Sequence, residues 1–207
     1  ARLGTVSKEE LGSSKIHTRN GSIDDEASSE TEAFSLAKQF LSYLPSNVEQ
    51  LPPRTACEDP ITRTAPELLD IIPRDPRKVY KMRKIINAVV DRGTFFEIGR
   101  QWGKSIITGL ARIDGVATAV FAEDPMIYGG AWTADSCKKL IRLCDLASTF
   151  HLPLLHLVDC PGFLIGKQSE QAGTIRIGST ALAALGQANV PFCSVVVRTA
   201  FGVAGAA

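Results

Sequence analysis

From residue 104 onward the apolar positions keep changing rhythm. "SIITGLARIDGVATAVFAED" (105–124) holds two β-favouring runs separated by Asp114-Gly115 and reads as two strands joined by a tight turn. "TADSCKKLIRLCDLASTFH" (133–151) shifts to helical spacing, with Thr133 as N-cap and Leu140, Leu143, Cys144 and Ala147 facing inward. "LPLLHLVDCPG" (152–162) is a continuous apolar run, predicted as a buried strand. "TIRIGSTALAALGQAN" (174–189) is a helix whose small residues permit close approach to a sheet, and "VPFCSVVVRTAFG" (190–202) is a second buried strand. This alternation predicts an α/β fold with helices packed on a largely parallel sheet.

Upstream the pattern is weaker. Residues 1–29 are polar and rich in glycine and serine, and "GSIDDEASSE" reads as a loop. Ser29, with Glu32 three residues on, forms a capping-box pattern for a helix over 30–44, with Phe34, Leu41 and Leu44 near one face and Pro45 at its end. Residues 45–76 hold seven prolines, an ordered excursion or linker rather than regular structure. "RKVYKMRKIINAVVD" (77–91) places Val79, Met82, Ile86 and Val89 at helical spacing, with Gly93 as the stop.

Composition narrows the function classes. The chain has 207 residues, 44% of them hydrophobic, enough for one good core and an appendage. A net charge of +1 does not favour a nucleic-acid or anionic-membrane partner. The most apolar stretch, Thr180 to Phe201, is broken by Gln187, Asn189, Pro191 and Arg198 and does not read as a membrane span. Five scattered cysteines form no CxxC pair, so a reduced interior is the simpler reading. The chain starts without methionine and closes on a strand-to-helix turn with no helix after it, which points to a piece of a longer protein.

In such sheets ligands sit beyond the carboxyl ends of the strands. Three loops are predicted there: "EDPMIYGGAWT", "DCPGFLIGKQSEQAG" and "FGVAGAA". They offer close-approaching backbone and no evident triad, which suits stabilising a developing oxyanion better than nucleophilic attack. The terminal "FGVAGAA" is the sharpest: a glycine turn entering a helix exposes unpaired N–H groups. The plainer reading is that its small residues only permit tight packing. "GFLIGKQ" fails as a phosphate loop, since Gly162 and Gly166 have three residues between them and Gln168 follows the lysine. Asp159 sits where a catalytic acid could, but a turn-capping role before Pro161 is preferred. Cys160 lacks a local base and reads as a buried filler, His156 as a hydrogen-bonded core residue, His151 as a helix-end cation, and the basic run at 77–84 as a solvated helix face.

Taken together the chain resembles the carboxyltransferase (β) subunits of biotin-dependent acyl-CoA carboxylases, propionyl-CoA carboxylase among them. The resemblance lies in "EELGSSKIH" (9–17), "LSYLPSN" (41–47), "IIPRDPRKVYKMRKIINAVVDRGTFFEI" (71–98), "DCPGFLIGKQSEQAGTIRIGS" (159–179) and "VVVRTAFGVAGAA" (195–207), in that order. It implies a crotonase-like spiral fold occurring twice per subunit. Residues 1–29 would then be the tail of a first repeat, 30–76 a connecting helix and proline-rich segment, and 77–207 the first part of a second repeat.

The implied activity is carboxyl transfer between carboxybiotin and the α-carbon of an acyl-CoA through an enolate, with biotin itself as the base. Backbone N–H pairs in each repeat stabilise the developing oxyanions. The pair falls here on Val203 and Ala204, after Gly202; valine stands where the family has glycine. Ala206 matches a position that tunes acyl length. Pro161, Gly162 and Phe163, Gly173, and the Gly129-Gly130 loop map onto biotin- or acyl-binding segments. Biotin would arrive on a carrier protein or domain, with a biotin carboxylase as partner. The site would be completed across the dimer interface of a homo-oligomer, a hexamer, in bacterial cytoplasm or mitochondrial matrix. Two alternatives stay open: a biotin-dependent decarboxylase or transcarboxylase subunit, and a non-catalytic crotonase-like scaffold.

Overall fold

The computed structural model describes residues 6–60 and 62–206. Its strands are β1 (Phe96–Ile98), β2 (Ile106–Ile113), β3 (Val116–Glu123), β4 (Leu154–Cys160) and β5 (Phe192–Ala200), joined in that order in one sheet. The helices are α1 (Lys8–Gly12), α2 (Ser14–Asn20), α3 (Glu30–Ser42), α4 (Met82–Val89), α5 (Ala134–Phe150), α6 (Lys167–Gln171), α7 (Thr174–Gln187) and α8 (Gly202–Gly205).

The sheet is mixed rather than largely parallel. β1, β2 and β3 pair antiparallel, while β3, β4 and β5 pair parallel. The two-residue turn at Asp114-Gly115 dictates the first half: with φ of 51° and 74° it returns the chain directly alongside itself. The helical crossovers dictate the second half.

The sheet separates two cores, and the pleat decides which residue goes where. Ile106, Leu110, Ala119, Phe121, Leu154 and Val158 face one side, against α5 and α7. Ile107, Ala111, Val120, Ala122, Leu155 and Leu157 face the other, against Met82, Ile85 and Ile86 of α4.

Several expectations change here. Residues 8–20, for which the sequence predicts no element, form α1 and α2, while 21–29 are loop as expected; α1 is held by a capping box between Ser7 and Glu10. Ser29 caps α3 through the Glu32 N–H, but the Glu32 carboxylate reaches back to Ser28 instead of Ser29. On α3, Phe34 and Leu41 are exposed, and Phe40, with Tyr43 and Leu44 just beyond the helix, makes the core contact. α4 begins at Met82 and ends at Val89, before Gly93. Arg63, from the proline-rich segment, donates to Ala88 O and Val90 O at 2.9 and 2.8 Å and satisfies the helix-terminal carbonyls. That segment is thus an ordered strap, also joined to the hairpin tip by Thr55 N donating to Gly115 O at 3.0 Å. β5 is a strand as predicted but is not buried: Phe192, Val195 and Val196 are exposed, because β5 forms the edge of the sheet within this chain.

Candidate functional site

The parallel strands β3, β4 and β5 end on one side of the sheet, and the three predicted loops meet there. Trp132 and Phe163 form a β-bridge, with Trp132 N donating to Gly162 O at 3.0 Å and Leu164 N to Trp132 O at 2.9 Å. The Pro161–Phe163 segment in turn touches the terminal turn: a Cβ on Gly202 would lie 3.4 Å from Gly162 Cα. Phe163 stacks edge-on against Trp132 and presses its ring onto Gly178 of α7. Gly130 has φ 86°, and a Cβ there would fall 2.6 Å from Asp159 O, so only glycine lets this loop close on β4. Gly129 has φ 63° and is exposed with open space around it.

Two buried carboxylates fasten these loops, and neither role was predicted. Glu123, the last residue of β3, is fully buried. It accepts from Trp132 Nε1 at 3.0 Å, from His156 Nε2 at 2.9 Å and from Asp159 N at 3.0 Å. His156 is the hydrogen-bonded core residue expected, stacked on Phe121 at 3.9 Å. Asp159 is not a turn cap. It accepts from Tyr80 Oη at 2.7 Å and Thr199 Oγ1 at 2.7 Å, and pairs with Arg198 at 3.0 Å. Burial, followed by that bond to Asp159, raises the Tyr80 phenol well above its ordinary value. Asp159 thus fixes the end of β5 just before the terminal turn. A charged residue ending an otherwise apolar strand was the one sequence signal for both.

Within the turn, Phe201 N donates to Cys160 O at 2.8 Å. The next three N–H groups, of Gly202, Val203 and Ala204, find no acceptor among the described residues, as expected for the first turn of a helix. Ala204 is fully buried, whereas the Val203 side chain is 66% exposed and displaces nothing. Ala206 is exposed. Gly173, with φ 68°, is the N-cap of α7, with open space around it. Cys160 is buried, and burial pushes its thiol up to about 12, so it is no nucleophile near neutral pH.

A cleft of about 740 Å³ opens beside these loops, lined by Lys104, Ser105, Tyr128, Lys138, Leu164 and Thr174 among others. The terminal turn does not line it. Behind it, Arg83 grips Glu97 with two hydrogen bonds of 2.9 and 2.6 Å and Asp124 with one of 2.6 Å. Arg83 is therefore a half-buried clasp, while Arg77, Lys78, Lys81 and Lys84 of the same run are exposed as a solvated face. Burial alone would raise the Glu97 carboxyl, but the Arg83 bonds and charge outweigh it and lower it. His151 caps α5 with φ 57°, and its ring nitrogen meets Val48 O at 2.7 Å.

A family model described as "Carboxyl transferase domain" matches residues 3–207. The chain belongs to the carboxyl transferase domain family. It is 37% identical over 198 residues to the propionyl-CoA carboxylase beta chain of Roseobacter denitrificans, covering 95% of this chain and 39% of that relative. It is 35% identical over 201 residues to the methylmalonyl-CoA decarboxylase subunit alpha of Propionigenium modestum, covering 95% of this chain and 38% of that one. Among solved structures, a transcarboxylase 12S hexamer with methylmalonyl-coenzyme A and methylmalonic acid bound superposes with a TM-score of 0.93 at 32% identity. That match covers 98% of this chain and 39% of the 12S chain. This carboxyl transferase domain thus has the crotonase-like α/β fold of its relatives and spans about two-fifths of their length.

Proposed function

We propose that this domain supplies the biotin-facing half of a carboxyltransferase site, in a protein that moves a carboxyl group between carrier-bound biotin and an acyl-CoA. The observation that carries the reading is the run of unpaired N–H groups at Gly202, Val203 and Ala204, where β4 and β5 end. Such donors fit an oxygen that gains negative charge during the reaction, and they hold it without a side-chain base. Carboxybiotin, when bound, would supply the carboxyl group, and the biotin ureido left behind would accept the α-proton. The chain's own residues orient and desolvate: Val203 and Ala204 donate, Gly202 and Gly162 keep the approach open, and Ala206 borders the reacting groups. The Pro161–Phe163 loop, Gly173 and the Gly129-Gly130 loop shape the surrounding wall. In this reading residues 1–29 finish a first crotonase-like repeat, 30–76 connect, and 77–207 begin the second.

The acyl-CoA would sit chiefly on a first repeat of another subunit, so a homo-oligomer, of hexamer type as in the 12S transcarboxylase, completes the site. A biotin carrier and biotin carboxylase are the expected partners, in bacterial cytoplasm or mitochondrial matrix. The similarity to a decarboxylase alpha subunit supports a second reading, in which the same site runs toward carbon dioxide release. The deciding experiment uses the full-length subunit with its biotin-bearing partner and acetyl-, propionyl- and longer acyl-CoA. Carboxylated product is expected with at least one of them. An intact oligomer without turnover in either direction would leave a non-catalytic scaffold.

A further inference from the structure

We propose that Glu123 is a positioning residue for this site: its buried carboxylate sets the spacing between the 130–132 and 159–163 loops. The proposal rests on the carboxyl-transfer reading above. Glu123 is fully buried and makes no hydrogen bond to the terminal turn among the described residues, yet two of the three groups that donate to it, Trp132 Nε1 and Asp159 N, belong to segments that shape the site. Trp132 Nε1–H ties it to the loop after β3, and the bridge from Trp132 carries that loop onto Gly162 and Phe163. Asp159 N–H ties it to the end of β4, two residues before Pro161. The two loops are also forced together at Gly130, whose missing Cβ leaves room for the Glu123 side chain and the Asp159 carbonyl.

His156 completes the arrangement. Its Nε2 faces both Glu123 oxygens, at 2.9 and 3.2 Å, while Nδ1 is buried with no partner. The carboxylate therefore selects the tautomer that carries hydrogen on Nε2. A Gln in place of Glu123 would turn its NH₂ group toward one of two obligatory donors, Trp132 Nε1–H or Asp159 N–H, and a buried donor facing a donor is costly. The loops would then part by a fraction of an ångström, enough to matter for a site built from backbone N–H groups.

The test compares wild type and Glu123→Gln in the full-length subunit, assaying transfer between acyl-CoA and free biotin and recording tryptophan emission. Within these 207 residues the tryptophans are Trp102 and Trp132, so the part of the emission change that disappears in a Trp132→Phe background reports on the anchor. Expected is a loss of roughly ten- to a hundredfold in kcat/KM toward biotin, with KM for acyl-CoA within about twofold of wild type. The Trp132 emission should shift in parallel. Trp132→Phe, which keeps an aromatic side chain but removes the indole N–H donor, should show a smaller kinetic loss with the same split between substrates; it serves if Glu123→Gln does not assemble. Full activity in a folded Glu123→Gln oligomer would overturn the proposal, as would an emission shift without a kinetic effect, or losses that merely track unfolded protein. An inactive wild type would instead sink the carboxyl-transfer reading, while the emission shift still decides whether Glu123 anchors the loops.

Discussion

At the residue scale, the terminal turn shows which local features are needed and which are incidental. Gly202 has φ 66°, a conformation that costs an L-residue about 1 kcal/mol, and its Cα side faces Gly162 at close range. Gly202→Ala should lower stability by about that much but cut transfer far more, since the added methyl enters the approach to the free N–H groups; thermal unfolding beside steady-state kinetics separates the two. Val203→Gly, by contrast, removes an exposed side chain and should leave transfer within about threefold of wild type, because the donor is the backbone. Asp159→Asn tests the support beneath. Arg198 would lose its charged partner in a largely buried setting, at a cost of about 3 kcal/mol, measured as a lower denaturant midpoint with unchanged m-value.

At the scale of elements, the legibility of the sequence divides along physical lines. The hairpin, α5, β4, α7 and β5 were all readable, because each has an apolar rhythm matched to its period and a turn residue at its boundary. The sheet's mixed direction followed less directly: β1 is three residues long, too short to show a period at all. α1 and α2 bury almost nothing, only Thr18 between them, so they lack the apolar stripe that marks a helix. The exposed β5 carries residues that read as buried, since strand composition does not say whether a neighbour lies beyond the edge. The loops proposed to form the site were located from glycine placement, but the carboxylates beneath them were not. Glu123 and Asp159 look like loop residues until the fold brings their donors together. Packing of α7 on the Phe163 loop gives a further test. Gly178→Ala should gain up to about 1 kcal/mol in helix propensity. The new methyl would sit 2.6 Å from Phe163 Cζ, and overpacking of that kind costs about 1–3 kcal/mol. The net expectation is a less stable domain with a displaced Phe163 and weakened transfer, visible together in unfolding and kinetic data.

At the scale of the whole molecule, a buried charge links the docking of α5 on the 99–106 loop to pH. Lys139 on α5 is 4% exposed, and its Nζ donates to Trp102 O at 3.0 Å and Ile106 O at 2.7 Å. It thereby holds the 99–106 loop, one wall of the 740 Å³ cleft, against the helix. Burial lowers its ammonium to about 8, a shift that nearby Glu97 opposes only in part. In the unfolded chain the same group titrates near its ordinary value of about 10.4. Between these values the unfolded state binds more protons than the folded one, so stability rises with pH across that window. Below about pH 8 the full cost of burying the charge is present; above about 10.4 it is gone. Lys139→Met removes the titration but also both hydrogen bonds. The lost bonds set a constant offset, and relative to wild type the variant should lose ground steadily as pH rises from 7 toward 10. Denaturant midpoints of the two proteins, measured at matched ionic strength from pH 7 to 10, give the difference directly. Parallel curves would mean that the ammonium is solvated in the folded domain and that the loop is held by packing alone.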